Sequence, residues 1–390
     1  MVNKSKWIEF LICIVMVIRV NGFYVPITFV QDAVAKGGVC LDGSPPAYHF
    51  HKGFGAGINN WLIHMEGGAW CNSPTKCLER TLDRLGSSSL MTTNYTFSGI
   101  LSNQAKYNPD FYNWNRIKVR YCDGSSYTGD VEDVDPNAKV YYRGARLWRA
   151  IMDDLLAKGM KDAQNAILAG CSAGGLGAIL QCDNFRGLVP STAKVKCLSD
   201  AGFFINANDV SGAPHIQEFF AQVVNTHGSA KNLPESCTSK FSAELCMFPE
   251  YAARDIQTPL FLLNAAYDTW QVKNTLAPGV ADRHGTWRDC KSNITECSDS
   301  QLQTLQGFRT EFLAALSSLG DNPSRGSFIN SCYSHCQSGT QETWLRNDSP
   351  LLDNTTISAA VGGWFYDRNA FQKIDCPYPC DKTCHNRVFE

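Results

Sequence analysis

The stretch Ala166-Ile167-Leu168-Ala169-Gly170-Cys171-Ser172-Ala173-Gly174-Gly175 restricts the folds open to this chain more than any other. An apolar run of strand length enters Gly-x-Ser-x-Gly and passes into Leu176, Ala178, Ile179 and Leu180, which reads as strand, sharp turn, helix. Glycines on either side of Ser172 let neighbouring backbone approach without a Cβ clash, and the turn exposes a hydroxyl at the end of a strand. A plain glycine-rich turn would satisfy the five-residue pattern alone; the apolar run before it and the helix formers after it give the context of a nucleophile elbow.

The surrounding pattern fits. Arg116–Tyr121 alternates like a strand, and Leu147, Trp148, Ile151, Met152, Leu155 and Leu156 recur at helical spacing over 143–158 before Gly159. With 166–169 and the helix from Leu176, this gives strand, helix, strand, helix, the alternation of a mostly parallel sheet covered on both faces. Further strands are expected at 61–65, toward Asp200, at 258–264 and, as a short last strand, at 327–330; a β-rich entry is expected over 23–38 and a long helix over 300–319. The 205–250 region lacks clean periodicity and reads as a cap or lid insertion within one domain. At 390 residues and 44% hydrophobic, the chain can bury one large α/β core. A net charge of −2 and no basic block leave no electrostatic footprint for nucleic acid or a membrane surface.

Of 17 cysteines, Cys13 lies in an N-terminal apolar stretch and the other 16 lie downstream. Lys4 and Lys6 precede the uncharged run Phe10–Ile18 and the small-residue site Val20-Asn21-Gly22, so residues 1–22 read as a secretory signal and 23–390 as the mature, secreted domain. Asn94, Asn293, Asn347 and Asn354 are N-glycosylation acceptors by pattern. Cys376-x₃-Cys380-x₃-Cys384-His385 resembles a zinc spacing, but an oxidising compartment favours disulfides, and Cys71/Cys77, Cys237/Cys246 and Cys290/Cys297 are spaced as small loop closures. No metal and no cofactor is expected.

The strand at 61–65 stops at Glu66-Gly67-Gly68-Ala69-Trp70-Cys71, where small residues free backbone N–H groups to point at one oxygen. Gly68 and Ala69, with Ala173 beyond the nucleophile, form the expected oxyanion hole. In the α/β-hydrolase order of serine, acid, histidine, Asp268 follows the strand at 258–264 and His335 follows that at 327–330. Asp200 competes as the acid. His284 lies too close to the acid's strand, and His385 sits in the cysteine-rich tail. The loop Cys122-Asp123-Gly124-Ser125-Ser126 either lines a sugar cleft or simply turns, and Trp70, Trp114, Tyr127 and Trp270 either stack on sugars or pack in the core.

Several long segments are then familiar together: Trp61–Cys71, Asn113–Gly124, Gly170–Gly175, Asn264-Ala265-Ala266-Tyr267-Asp268, Ser331-Cys332-Tyr333-Ser334-His335-Cys336-Gln337 and Gly363–Arg368. With them the chain resembles the plant pectin acetylesterases of carbohydrate esterase family 13 over nearly all its length after the signal. The resemblance implies an α/β-hydrolase-like fold and cofactor-free hydrolysis of acetyl esters on galacturonic acid residues of cell-wall pectin. It also implies a triad at Ser172, Asp268 and His335. Acetylated pectin is the implied partner, and a monomer is expected. Ala69 departs from the glycine common in the family. The family in turn resembles the Notum carboxylesterases, which remove a fatty acyl group from Wnt proteins, so the triad alone does not fix the acyl group. Two alternatives follow: an esterase for another acyl ester, whether on another acetylated polysaccharide, a lipid or a protein, and a catalytically silent wall-carbohydrate-binding protein.

Overall fold

The computed structural model describes residues 23–134 and 136–386; the signal segment and Cys13 lie outside them. The strands are β1 (Tyr24–Phe29), β2 (Ala47–His51), β3 (Asn60–Met65), β4 (Asn94–Thr96), β5 (Asn115–Val119), β6 (Asn165–Cys171), β7 (Lys194–Asp200), β8 (Leu260–Ala265), β9 (Gly326–Asn330), β10 (Leu351–Leu352), β11 (Thr355–Thr356) and β12 (Gln372–Ile374). All but β10 and β11 form one sheet in the order β12-β9-β8-β7-β6-β3-β5-β2-β1-β4. From β12 to β5 every pairing is parallel; β2, β1 and β4 complete the sheet antiparallel. The chain is an α/β-hydrolase-like α/β fold.

The longer helices are α1 (Gly144–Ala157), α2 (Ala173–Leu180), α3 (His215–His227), α4 (Asp299–Ser317) and α5 (Ile357–Phe365). Successive strand residues point to opposite faces, and here both faces are dry. Trp61, Ile63 and Met65 of β3, Ala166 and Leu168 of β6, and Leu260 and Leu262 of β8 pack with α1, α2 and α4 on one side. Leu62, Ile167, Ala169, Phe261 and Leu263 pack with α5, Phe111 and Trp114 on the other. Double burial is why these strands read as continuous apolar runs.

The expected strands and helices form within a few residues of the expected bounds. The long helix starts where its cap dictates: the Ser298 hydroxyl accepts the Gln301 N–H, and the Gln301 side chain accepts the Ser298 N–H at 2.9 Å, a reciprocal cap worth about 1 kcal/mol. Two readings need correction. Only Tyr24–Phe29 of the β-rich entry is a strand, because Asp32–Ala35 turns into a short helix. The strand at 326–330 is not the last: β12, exposed and short, lies parallel beside it.

All 16 downstream cysteines are paired, as Cys40–Cys122, Cys71–Cys77, Cys171–Cys336, Cys182–Cys197, Cys237–Cys246, Cys290–Cys297, Cys332–Cys384 and Cys376–Cys380. Among the described residues no helix is long and apolar enough to cross a membrane.

Candidate active site

The residues singled out for chemistry lie beyond the C-terminal ends of the parallel strands, where open α/β sheets bind ligands. Ser172 follows β6 with φ of 58°, a left-handed conformation that a non-glycine residue adopts only where its surroundings hold it. Its N–H donates to the Asp200 carbonyl at 2.9 Å, and its carbonyl accepts the Leu176 N–H at 2.9 Å as α2 begins. The glycines are required sterically. A Cβ on Gly174 would strike the carbonyls of Met65 and Glu66, and one on Gly67 would lie 2.7 Å from the Cβ of Ser172.

Asp268 is fully buried just past β8. One carboxylate oxygen caps the next helical turn by accepting the Gln271 N–H at 2.9 Å; the other lies 2.7 Å from His335 Nδ1. His335 Nε2 is buried and has no hydrogen-bond partner. The Cys171–Cys336 disulfide joins the residue before Ser172 to the residue after His335, with Cα atoms 5.7 Å apart, so serine and histidine are tethered through their immediate neighbours. Burial opposes a charge on His335, but the charge and hydrogen bond of Asp268, with the charge of Asp200, prevail and raise its pKa above the ordinary imidazole value.

Asp200 was the rival acid. Its carboxylate instead accepts the N–H of Gln337 at 2.8 Å, the N–H of Ser338 at 2.6 Å and the Ser338 hydroxyl at 2.6 Å. It therefore fixes the loop that carries His335 and leaves the bond to the imidazole to Asp268. Burial pushes its carboxyl up to about 6 against the pull of those donors.

The loop after β3 is held from behind. Gly68 has φ of 147° and Ala69 φ of 55°. The Gly68 carbonyl accepts from Arg80, and the Ala69 carbonyl accepts the Tyr121 hydroxyl at 2.9 Å. With the carbonyls engaged on that side, the N–H groups of Gly68 and Ala69 have no acceptor among the described residues, and neither has that of Ala173 at the start of α2. Glu66 anchors the base of the loop through Arg120 at 2.8 Å, Arg84 at 2.9 Å and the Tyr121 N–H at 3.1 Å. Burial works against its charge, but Lys118, Arg120 and Arg84 win and hold its carboxyl below the usual range.

The loop at 122–126 turns inside the protein. Its residues are buried; the Ser126 hydroxyl donates to the Ala173 carbonyl at 2.7 Å and accepts the Trp70 indole N–H at 2.7 Å, which ties the turn at Ser172 to the loop after β3. Of the two readings of the aromatics, core packing holds for three of the four. Trp114 packs against Phe111 and Phe365 in the core, Tyr127 is fully buried, and Trp70 is nearly so. Only Trp270 keeps partial exposure. The supporting roles of Glu66, Tyr121, Ser126 and Arg80 were missed: they act through pairings between strand ends that are invisible until the strand order is known.

Cys332 and Cys384 lie near Asp381, Cys376 and Cys380 near Asp375, and Cys71 and Cys77 near His227, in groupings that would suit a metal. Every one of these cysteines is in a disulfide, so no thiolate is available and the donor sets do not fit zinc.

The family model described as Pectinacetylesterase matches residues 18–385. The chain belongs to the pectinacetylesterase family. It is 56% identical over 382 residues to pectin acetylesterase 7 of Arabidopsis thaliana, which covers 98% of this chain and 97% of that protein. It is 54% identical over 382 residues to pectin acetylesterase 11 of the same plant, with the same shares covered. A more distant relative is the palmitoleoyl-protein carboxylesterase notum2 of Xenopus laevis, 26% identical over 377 residues, covering 88% of this chain and 71% of that protein. As a pectinacetylesterase, the protein is a carboxylic ester hydrolase.

Proposed function

We propose that this pectinacetylesterase is secreted to the plant cell wall, where as a monomer it hydrolyses acetyl esters on galacturonic acid residues of homogalacturonan by Ser172, His335 and Asp268. The bond from His335 Nδ1 to Asp268, with Nε2 buried and unpartnered, carries the assignment. His335 Nε2 takes the Ser172 proton as the oxygen attacks the acetyl carbonyl carbon. The amides of Gly68, Ala69 and Ala173 receive the oxyanion, and Asp268 stabilises the imidazolium. The imidazolium returns its proton to the departing sugar hydroxyl. Water, deprotonated by His335, then cleaves the acetyl-serine to acetate. No cofactor enters.

The substrate rests on the pectin acetylesterases of Arabidopsis thaliana, which share more than half of their residues with this chain. The acyl group rests partly on packing. Trp70, Phe204, Phe220 and Trp270 meet edge to face beside the oxyanion loop, with ring centroids 5.0–5.4 Å apart in their main contacts, and a filled space suits acetyl better than the long acyl chain of a palmitoleoyl ester. Secretion is supported by the leader pattern, the paired cysteines and the exposed positions of Asn94, Asn347 and Asn354, with Asn293 half-buried.

The test is acetate release from acetylated pectin, acetylated xylan and a long-chain acyl ester by the wild type and Ser172→Ala. Pectin-selective release abolished by the substitution is expected. Cleavage of xylan or the long-chain ester with pectin untouched overturns the substrate; unchanged release by Ser172→Ala overturns the mechanism.

A further inference from the structure

In the sheet, β8 and β3 stand on either side of the neighbouring pair β7 and β6. A groove walled by the loops after β3 and β8 therefore bridges the strand ends at which Ser172 stands. Such a groove exists, about 340 Å³ in volume, with walls from Asn72 beyond β3, Trp270 and Asn274 beyond β8, and Phe219 and Gln222 of α3. Asn72 is three residues past Ala69, Trp270 is two past Asp268, and the Trp270 ring lies 5.4 Å from that of Trp70, the residue after Ala69, so both walls begin in the loops that carry the candidate site. The volume is at the small end of the range, about 300–1,000 Å³, that holds compact ligands. A larger cavity of about 700 Å³ opens at the other ends of β7 and β8, remote from Ser172, and its Lys194 and Lys196 are taken by Asp367.

The walls have two chemistries. Trp270 is backed by Trp70 and Phe204, with ring centroids 5.4 and 5.1 Å away, and is half-buried on the groove, with Phe219 beside it. This is a supported aromatic surface for the apolar face of a pyranose ring. Asn72 donates to Gln222 at 2.5 Å, which leaves the Asn72 amide oxygen and the Gln222 amide N–H groups for hydroxyls. Neither lysine nor arginine is among the lining residues. Glu218 presents an exposed carboxylate, and His215 is held by Asp209. A free uronate carboxylate placed here would face Glu218 without a cation to offset it.

We infer that this groove is a subsite for the sugar unit next to the one being deacetylated, and that it takes galacturonate methyl-esterified at its carboxyl group in preference to the free acid. The inference rests on the pectin reading above and adds to it a binding surface and a preference.

The experiment measures acetate release from acetylated homogalacturonan of high and of low methyl esterification, and hydrolysis of para-nitrophenyl acetate, for the wild type, Phe219→Ala, Asn72→Ala and Glu218→Gln. Expected is a higher kcat/KM of the wild type on the methyl-esterified polymer. Phe219→Ala and Asn72→Ala raise KM for the polymer by roughly fivefold relative to KM for the small ester, and Glu218→Gln narrows the methyl-ester preference. Parallel losses on polymer and small ester, or an unchanged preference in Glu218→Gln, overturn the subsite. A wild type that cleaves para-nitrophenyl acetate but neither pectin overturns the pectin reading and the subsite with it; one that cleaves pectin while the variants show no polymer-specific loss overturns the subsite alone. As a second measurement, Phe219→Ala in a Ser172→Ala background is run in native gels containing methyl-esterified pectin, where retardation weaker than that of Ser172→Ala is expected and equal retardation counts against the proposal.

Discussion

The main-chain carbonyl of Asp200 accepts the N–H of Ser172 at 2.9 Å, while the carboxylate of the same residue accepts the two amides and the hydroxyl that fix the loop just after His335. One residue at the end of β7 thus sets the positions of Ser172 and His335, the proposed nucleophile and base, together. Asp200→Asn keeps the size and the main-chain bond but replaces one acceptor oxygen with an N–H₂ group facing donors. A kcat loss of about tenfold to a hundredfold is expected, from misplacement of the base, with KM for a small acetate ester changing far less. An equal change in both constants would point to general disruption instead.

Asp200 also sets a pH dependence of stability. Its folded pKa, raised by burial to about 6, lies above the ordinary 3.8, so between those values the folded protein binds more protons than the unfolded chain. Its contribution is therefore fully present below about 3.8 and is lost as pH rises through about 6. Comparing Tm of the wild type and Asp200→Asn from pH 4 to 7, we expect the difference to move in favour of the variant as pH rises through about 6. A difference independent of pH would remove Asp200 as its source.

The same carboxylate acts on the base. In the proposed mechanism His335 is neutral when it accepts the Ser172 proton, and Asp268 and Asp200 raise its pKa against burial. The acidic limb of kcat/KM is therefore expected above the ordinary imidazole value of 6.5. In Asp200→Asn, which lacks one of the two charges, the limb should move to lower pH while the remaining activity stays measurable. A limb that stays in place would assign it to another group.

The Cys171–Cys336 bond spans 165 residues of sequence, against 4 for Cys376–Cys380. A longer closed loop restricts the unfolded chain more. Replacing both cysteines of the first pair with alanine is expected to cost about 2–4 kcal/mol of stability and to lower kcat, because it also releases the tether between Ser172 and His335. Replacing Cys376 and Cys380 should lower Tm less and leave kcat near that of the wild type. Denaturation midpoints and steady-state kinetics on the two double variants check both parts.

How much of this was legible in sequence depends on range. The elbow, β3, β6, β8 and α4 are local patterns of burial and capping, and their alternation already implied a mostly parallel sheet with Ser172 at the end of a strand. Asp268 and His335 could be named as candidates from chain order, and the fold does bring them together 2.7 Å apart after β8 and β9. Short-range disulfides such as Cys290–Cys297 could be read from spacing, whereas Cys171–Cys336 could not, since only the pairing of β6, β7, β8 and β9 brings those ends together. The 122–126 loop was open between lining a cleft and turning for a related reason: its polar residues are equally suited to either, and only the fold shows Asp123 accepting the N–H groups of Ser125 and Tyr127 and the Ser125 hydroxyl inside the protein. That Trp114 and Tyr127 face inward could not be settled from sequence, because no local signal distinguishes a buried from a stacking aromatic.

Ala69 offers the last test, because its φ of 55° is strained for any residue with a Cβ. The strain is held by the Tyr121 hydroxyl on its carbonyl and by the Trp70 indole bonded to Ser126 on its other side. In Ala69→Gly the conformation is kept at no steric cost and the amide donor remains, so activity toward acetyl esters should persist. Relief of the left-handed strain, about 1–2 kcal/mol, opposes the greater freedom of glycine in the unfolded chain, about 0.4–1 kcal/mol, and a small net gain in stability results. Gly67→Ala is the opposite case: the new methyl would lie 2.7 Å from the Ser172 Cβ, so Ser172 and the loop after β3, the proposed nucleophile and oxyanion loop, must separate, and kcat should fall by about a hundredfold or more. Thermal melts with kinetics on the pair decide the matter; a Gly67→Ala enzyme as active as the wild type would show that the loop after β3 does not border the reacting serine in solution.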